Sequence, residues 1–195
     1  MPRSRSDLTA GEWAVLALLV EGPNHGFAVA RVMAPDGEVG RVWSLRRPLV
    51  YRAAETLTRM DLVRPAGTEP SRTGPQRTVL AATPTGKRAL TRWLKTPVEH
   101  VRDGRSLLML KLLFLSRRGA DATPLLTAQR DVFAVHAARL TRAAGAAEGF
   151  ERALALWRLE TTTAASRFVE TMLTQPVPAA DAPGRAHAAG PATRQ

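Results

Sequence analysis

Three short helical segments, each closed by a turn and followed by a pair of β-prone runs, constrain the fold of this chain more than any other feature. The pair is Leu62-Val63-Arg64 and Arg77-Thr78-Val79-Leu80, joined by residues 65–76, which are rich in Gly, Pro, Ser and Thr. Runs bounded in this way predict a hairpin, and a connection this long is expected to have a mobile tip. Upstream, Thr9-Ala10-Gly11-Glu12 has the spacing of a capping box, in which the threonine hydroxyl and the glutamate carboxylate satisfy each other's backbone N–H groups. Trp13, Leu16, Ala17 and Val20 recur at helical spacing and predict one apolar face, ended by Gly22-Pro23. Asn24 stands where it can cap a second helix over about residues 25–33, with Phe27, Ala30 and Met33 pointing inward. After the turn Pro35-Asp36-Gly37, a third helix is expected over about residues 48–60, opening on Pro48, whose missing N–H costs nothing there. Its predicted buried stripe is Leu49, Ala53, Leu57 and Met60, which leaves Arg47, Tyr51, Arg52, Glu55 and Arg59 on other faces. Beyond the hairpin, Thr83-Pro84-Thr85-Gly86 opens a fourth helix that carries Leu90, Trp93 and Leu94.

The rest of the chain reads as helix. Gly104 to Arg118 is apolar nearly all round and predicts one buried helix, terminated by Gly119. Thr123-Pro124 starts a longer helix through Leu125, Val132, Phe133, His136 and Leu140. In the last helix Phe150, Leu154, Trp157, Thr161, Ala164, Phe168 and Met172 recur at a spacing close to a coiled-coil seam. After Pro176 the residues are mostly Ala, Pro and Gly, with little to bury, so disorder is expected. The expected fold class is mainly α, a winged helix-turn-helix domain followed by an all-α dimerisation domain. The boundaries are a disordered start at 1–6, the winged domain at 7–98, the helical domain at 104–174 and a disordered tail at 176–195.

Composition narrows the chemistry. Of 195 residues 45% are hydrophobic, enough for a core. Cysteine is absent, which rules out a disulfide scaffold, a thiolate zinc site and a cysteine nucleophile. The four histidines show no close pairing, so neither a metal site nor a cofactor is expected. The apolar stretches Trp13 to Val20 and Leu107 to Leu110 fall short of the roughly 20 residues of a membrane span. Asp7, Glu12 and Glu21-Gly22-Pro23 do not suit a secretory leader, and a cytoplasmic protein with no membrane partner is expected. The net charge of +11 is unevenly placed: between Arg41 and Lys95, 12 basic residues stand against Glu55, Asp61 and Glu69. A basic stretch inside a folded domain is the footprint of a phosphate-backbone binder, although a solvated basic face has the same composition.

Three helices and a hairpin make a winged helix-turn-helix, whose third helix fits a major groove roughly 12 Å wide. Arg46, Arg47, Tyr51 and Arg52 then stand at the start of the recognition helix, Arg72 and Arg77 on the wing, and Lys87 just beyond it. Arginine can read guanine edges, whereas tyrosine more often holds phosphates.

Several of these segments carry a family resemblance. His25-Gly26-Phe27-Ala28-Val29-Ala30 resembles the second-helix signature of PadR-type transcriptional regulators. Arg47-Pro48-Leu49-Val50-Tyr51-Arg52-Ala53-Ala54 through Leu57, with Leu62-Val63, is similar to that family's recognition helix and the strand after it, Tyr51 standing at its tyrosine. Thr83, Gly86 and Ala89-Leu90 match the helix start after the wing. Leu107 to Leu115 resembles the family's lysine within a leucine run, with Lys111 at the lysine. The resemblance spans residues 7 to about 173. The chain departs from the pattern at Val79 and Leu80, where tyrosines are usual, at Asp61, where a glycine is, and at Ala54, where the family has a larger apolar residue. The resemblance implies a homodimeric repressor on a palindromic operator in double-stranded DNA. It also implies dimerisation through the C-terminal helices and, often, a small phenolic or multidrug-like aromatic ligand near that interface.

The dimer interface is expected at Phe150, Leu154, Trp157, Phe168 and Met172, because aromatics at this density are too apolar for a monomer's surface. Trp93, His100, Phe114 and Trp157 are the candidate ligand-binding residues, and core packing is open to the three aromatics as well. No nucleophile elbow, phosphate loop or paired-histidine zinc helix frames the polar residues, so an enzyme is not expected. The alternatives are a DNA-binding protein with no ligand and a dimeric winged-helix module that binds an acidic protein.

Overall fold

The capping box forms as its spacing predicts. The Thr9 hydroxyl accepts from the Glu12 N–H at 3.2 Å, and the Glu12 carboxylate accepts from the Thr9 N–H at 2.7 Å. Together they start helix α1 (Ala10–Glu21) in the computed structural model, which describes residues 8–70 and 76–175. Arg72 and the termini expected to be disordered, 1–6 and 176–195, lie outside the described residues. Instead of one apolar face, α1 is buried all round: Ala14, Val15, Leu18 and Leu19 are as enclosed as Trp13, Leu16 and Ala17. Helices from both halves of the chain pack around it, so no side is left for water.

Helix α2 (Gly26–Val32) is capped by His25 rather than Asn24, with the His25 Nδ1 accepting from the Ala28 N–H at 3.1 Å. Asn24 and His25 themselves form a short strand, β1, too short to show any periodicity in the sequence. Helix α3 (Arg47–Arg59) buries Val50, Ala53, Ala54 and Leu57. This stripe is rotated from the expected one, and Leu49 is 44% exposed. The hairpin strands β2 (Val63–Glu69) and β3 (Arg77–Ala82) pair antiparallel, and β3 lies between β1 and β2. Pro65 is tolerated because β2 is an edge strand and the register shifts between Pro65 and Gly67.

Helix α4 (Pro84–Lys95) is locked to the wing at its first turn. The Thr83 hydroxyl accepts from the Gly86 N–H at 3.0 Å and donates to the Asp61 carbonyl at 2.7 Å. Gly86 is needed there, since a Cβ would lie 2.1 Å from the Leu62 carbonyl oxygen.

The stretch expected as one helix from Gly104 to Arg118 is broken. A 3-10 turn (Val101–Asp103) and a π-helical turn (Gly104–Leu108) precede helix α5 (Met109–Arg117). Helices α6 (Thr123–Ala146) and α7 (Gly149–Thr174) then pack along each other. One hydrophobic core runs from Leu16 and Leu57 through Trp93 and Leu94 to Phe114, Phe133 and Val169, so the winged and helical parts share it.

Polar clamps join the two parts. Gln129 of α6, fully buried, holds the backbone of Val98, accepting from its N–H at 2.7 Å and donating to its carbonyl at 3.0 Å. Arg117 of α5 grips both carboxylate oxygens of Glu21 at 2.9 and 2.7 Å and also donates to Glu38. These hydrogen bonds, that to Glu21 above all, hold its guanidinium pKa above the ordinary value against desolvation. Lys111 of α5 is 2% exposed and donates to the carbonyls of Trp93 and, at 2.8 Å, Thr96. It thereby satisfies two acceptors at the C-terminus of α4, where the helix dipole favours a cation. Its ammonium also lies 4.3 Å from the centroid of the Trp93 ring, which stacks on Trp13 at 5.0 Å and 12°.

Burial pushes the Lys111 amine down from 10.5 to about 7. Below that value folded and unfolded chains are both protonated, and the folded state bears the whole desolvation cost. Between about 7 and 10.5 the unfolded chain holds more protons, so this residue's contribution to stability improves as pH rises. The melting temperature of the wild type relative to Lys111→Met is expected to climb across that window; parallel curves would contradict the assignment.

Candidate nucleic-acid interface

Helix α3 and the wing enclose a groove of about 1260 Å³. Its position follows from local rules. In α3 Arg52 falls on the side opposite the Val50–Leu57 stripe, Tyr51 on its flank and Arg47 at the N-terminal end beyond the core, and all three are exposed. Strand β3 brings Arg77 to the other wall through its pairing with β1 and β2. Glu55 is the acid among the groove-lining residues, against Arg47, Arg52, Arg59 and Arg77. Such a concave, positively charged surface concentrates an anionic partner.

The DNA-facing residues expected from the sequence divide accordingly. Arg47, Tyr51, Arg52 and Arg77 line one groove. Arg46 stands at the N-cap of α3, exposed, and Lys87 is exposed in the first turn of α4; neither lines the groove. Arg72 lies outside the described residues.

At the floor of the groove is a residue that the periodicity assigned to the core. Phe27 is only half-buried, and the guanidinium carbons of Arg47 and Arg77 lie 5.0 and 4.9 Å from its ring centroid. Arg47 also lies 5.8 Å from the centroid of the Tyr51 ring. Beside them His25 Nε2 is 3.5 Å from Arg77 Nη1 and 3.9 Å from a Glu69 carboxylate oxygen. Gly26 lets the Tyr51 ring come close, since a Cβ there would meet it at 2.7 Å. The sequence signal for this cluster was the aromatic directly after His25-Gly26, but helical spacing alone cannot show which side of a two-turn helix faces the core.

A second cavity, of about 730 Å³, lies between α4, α1 and the segment that leads into α5. The Trp13–Trp93 stack and Leu8 supply its apolar wall, with Arg88, Arg92, His100 and Lys111 as the basic lining residues and Glu99 and Asp103 as the acidic ones. Of the four aromatic or histidine residues singled out for ligand binding, Trp93 and His100 meet there. Phe114 is sealed in the core at 0% exposure, and Trp157 is 72% exposed on α7.

The residues expected at a dimer interface also separate. Phe150 and Trp157 stand out from α7 at 77% and 72% exposure, with Val135 of α6 similarly open. Leu154, Phe168 and Met172 are half-buried, the last two against the chain's own core. Among the described residues no helix is long and apolar enough to cross a membrane, and no group of acidic or histidine side chains has the arrangement of a metal site.

No family model matches the chain. No curated protein matches it either. Among solved structures, it is similar to Bacillus subtilis PadR, crystallised in complex with operator DNA, at 24% sequence identity and a TM-score of 0.41. The match covers 84% of this chain and 97% of that one.

Proposed function

We propose that this chain is a DNA-binding transcriptional regulator and not an enzyme, working as a cytoplasmic homodimeric repressor on a palindromic operator. One observation carries the reading: the exposed face of α3 and the inner strand of the wing bring Arg47, Tyr51, Arg52 and Arg77 into a single basic groove. Helix α3 is the element that enters the major groove in winged helix-turn-helix proteins, and the wing lies against the adjacent backbone. Arg47 and Arg52 are proposed to contact bases or phosphates, Tyr51 and Arg77 to hold phosphates, and Arg46, Arg72 and Lys87 to extend the contact along the duplex.

Two exposed aromatics support the homodimer, because Phe150 and Trp157, seven residues apart and so on one side of α7, leave large apolar side chains open on a single chain. Self-association through α7 presents two copies of α3 to one face of the duplex, where half-sites are about 34–36 Å apart. The cavity beside Trp93 and His100 supports a small aromatic ligand, since it is apolar on one wall and carries convergent polar groups on the other. The cavity lies between the winged and helical parts, and a ligand that binds it better in one arrangement of the two is proposed to release the operator.

Wild-type protein is expected to shift duplex DNA from the region upstream of its own gene, and to keep doing so against random duplex at physiological salt. Arg47→Ala combined with Tyr51→Phe is expected to weaken that binding by about 1–3 kcal/mol while leaving the dimer intact. Binding that random competitor abolishes, or a double variant that binds normally, would overturn the reading. In sedimentation, Phe150→Asp with Trp157→Asp should give a folded monomer, since both side chains are exposed in the single chain; a persistent dimer would place the interface elsewhere.

A further inference from the structure

We infer that Phe27 is a positioning residue for DNA contact, a ring that holds Arg47 of the recognition helix and Arg77 of the wing at a fixed separation; this rests on the DNA-binding reading above. Both guanidinium carbons lie within 5.0 Å of one ring centroid, so the two like charges are no more than about 10 Å apart. Neither forms an ion pair with a carboxylate among the described residues. At that separation in solvent their mutual repulsion is weak, and what the ring supplies is a fixed position for each flexible guanidinium.

A carboxylate between them could also hold them, but it would occupy the N–H donors and cancel the charge. An aromatic face attracts a guanidinium through its quadrupole and leaves the donor edge free. Phe27 therefore holds both arginines in place while most of their donors stay available to phosphate oxygens, with Arg77 Nη1 lying 3.5 Å from His25 Nε2. Tyr51 adds a second face for Arg47 at 5.8 Å.

The backbone sets the ring to the wing as well as to the helix. His25 pairs with Val79 of β3, and Asn24 with Leu80, while the His25 ring caps α2 through the Ala28 N–H. Phe27 thus follows two residues after a strand tied to the wing, on a helix packed against α3. Separation of the wing from the recognition helix is fixed through this short segment, and with it the spacing of the phosphates that Arg47 and Arg77 can reach together.

The test uses the full chain and a short fluorescein-labelled mixed-sequence duplex, with anisotropy measured between roughly 50 and 200 mM salt. Wild-type affinity should fall steeply with salt. Phe27→Leu is expected to bind about tenfold more weakly at the low-salt end and to lower the slope of log affinity against log salt by about 0.9 for each phosphate that the variant no longer neutralises. Phe27→Tyr, which keeps the ring, should restore both. A Phe27→Leu chain that melts like the wild type and matches its affinity and slope overturns the inference while leaving the DNA reading intact. A wild type that leaves the duplex free at every salt overturns the DNA reading and this inference with it. Should Phe27→Leu fail to fold, Phe27→Met takes its place, a flexible apolar side chain without an aromatic face: it is expected to show the same loss of affinity and of salt slope, and wild-type values of both overturn the inference.

Discussion

The architecture depends on how α4 is held at both ends. Its N-terminal turn is fixed to the wing by the Thr83 hydroxyl and by Gly86, which allows the Leu62 carbonyl to approach. Its C-terminal carbonyls are capped from outside by the buried Lys111 ammonium, with the Trp93 ring against that ammonium and Trp13 stacked beyond. A buried lysine is costly unless its donors are satisfied, and here two backbone carbonyls and an aromatic face do so. Lys111 thus joins the Gln129 and Arg117 clamps in tying the wing-bearing half to the helical half, and the adjoining cavity opens where they meet.

From that frame the basic groove follows. α1 is enclosed on all sides, so α3 has only one way to bury its Val50–Leu57 stripe, and the arginines fall outward. The wing is carried beside them by a three-stranded sheet whose third member is the two-residue strand before α2. Like charges are concentrated here rather than spread, an arrangement with a repulsive cost that makes sense for a surface completed by a polyanion.

The sequence made much of this legible where local chemistry decides. The capping box at Thr9, Pro48 at the start of α3, Thr83-Pro84 at the start of α4 and the second hairpin run act within a few residues and stand where their spacing predicts, whereas the first strand runs on to Glu69, well into the expected connection. Less was legible where tertiary packing decides. Leu49 and Val50 are both apolar neighbours, and only the surface that α1 offers selects Val50 as the buried one. Phe27 reads as core because it shares helical spacing with Ala30 and Met33; its two arginine partners are 20 and 50 residues away in the chain and invisible to any window. The run from Gly104 to Arg118 reads as one helix because apolar composition does not distinguish an α turn from the wider π turn that precedes Met109. For the groove, the residue types and the helix that carries them were readable, whereas the role of Lys111 as an external cap and the separation of Trp157 from the cavity needed the fold.

The central claim, that a symmetric pair of these chains reads a DNA sequence, is tested most directly by selecting bound duplexes from a random-sequence library at physiological salt and sequencing them. The account predicts an enriched palindromic motif whose half-sites are centred about one helical turn, or 10–10.5 base pairs, apart. Recovery of duplexes no different from the starting library would contradict it.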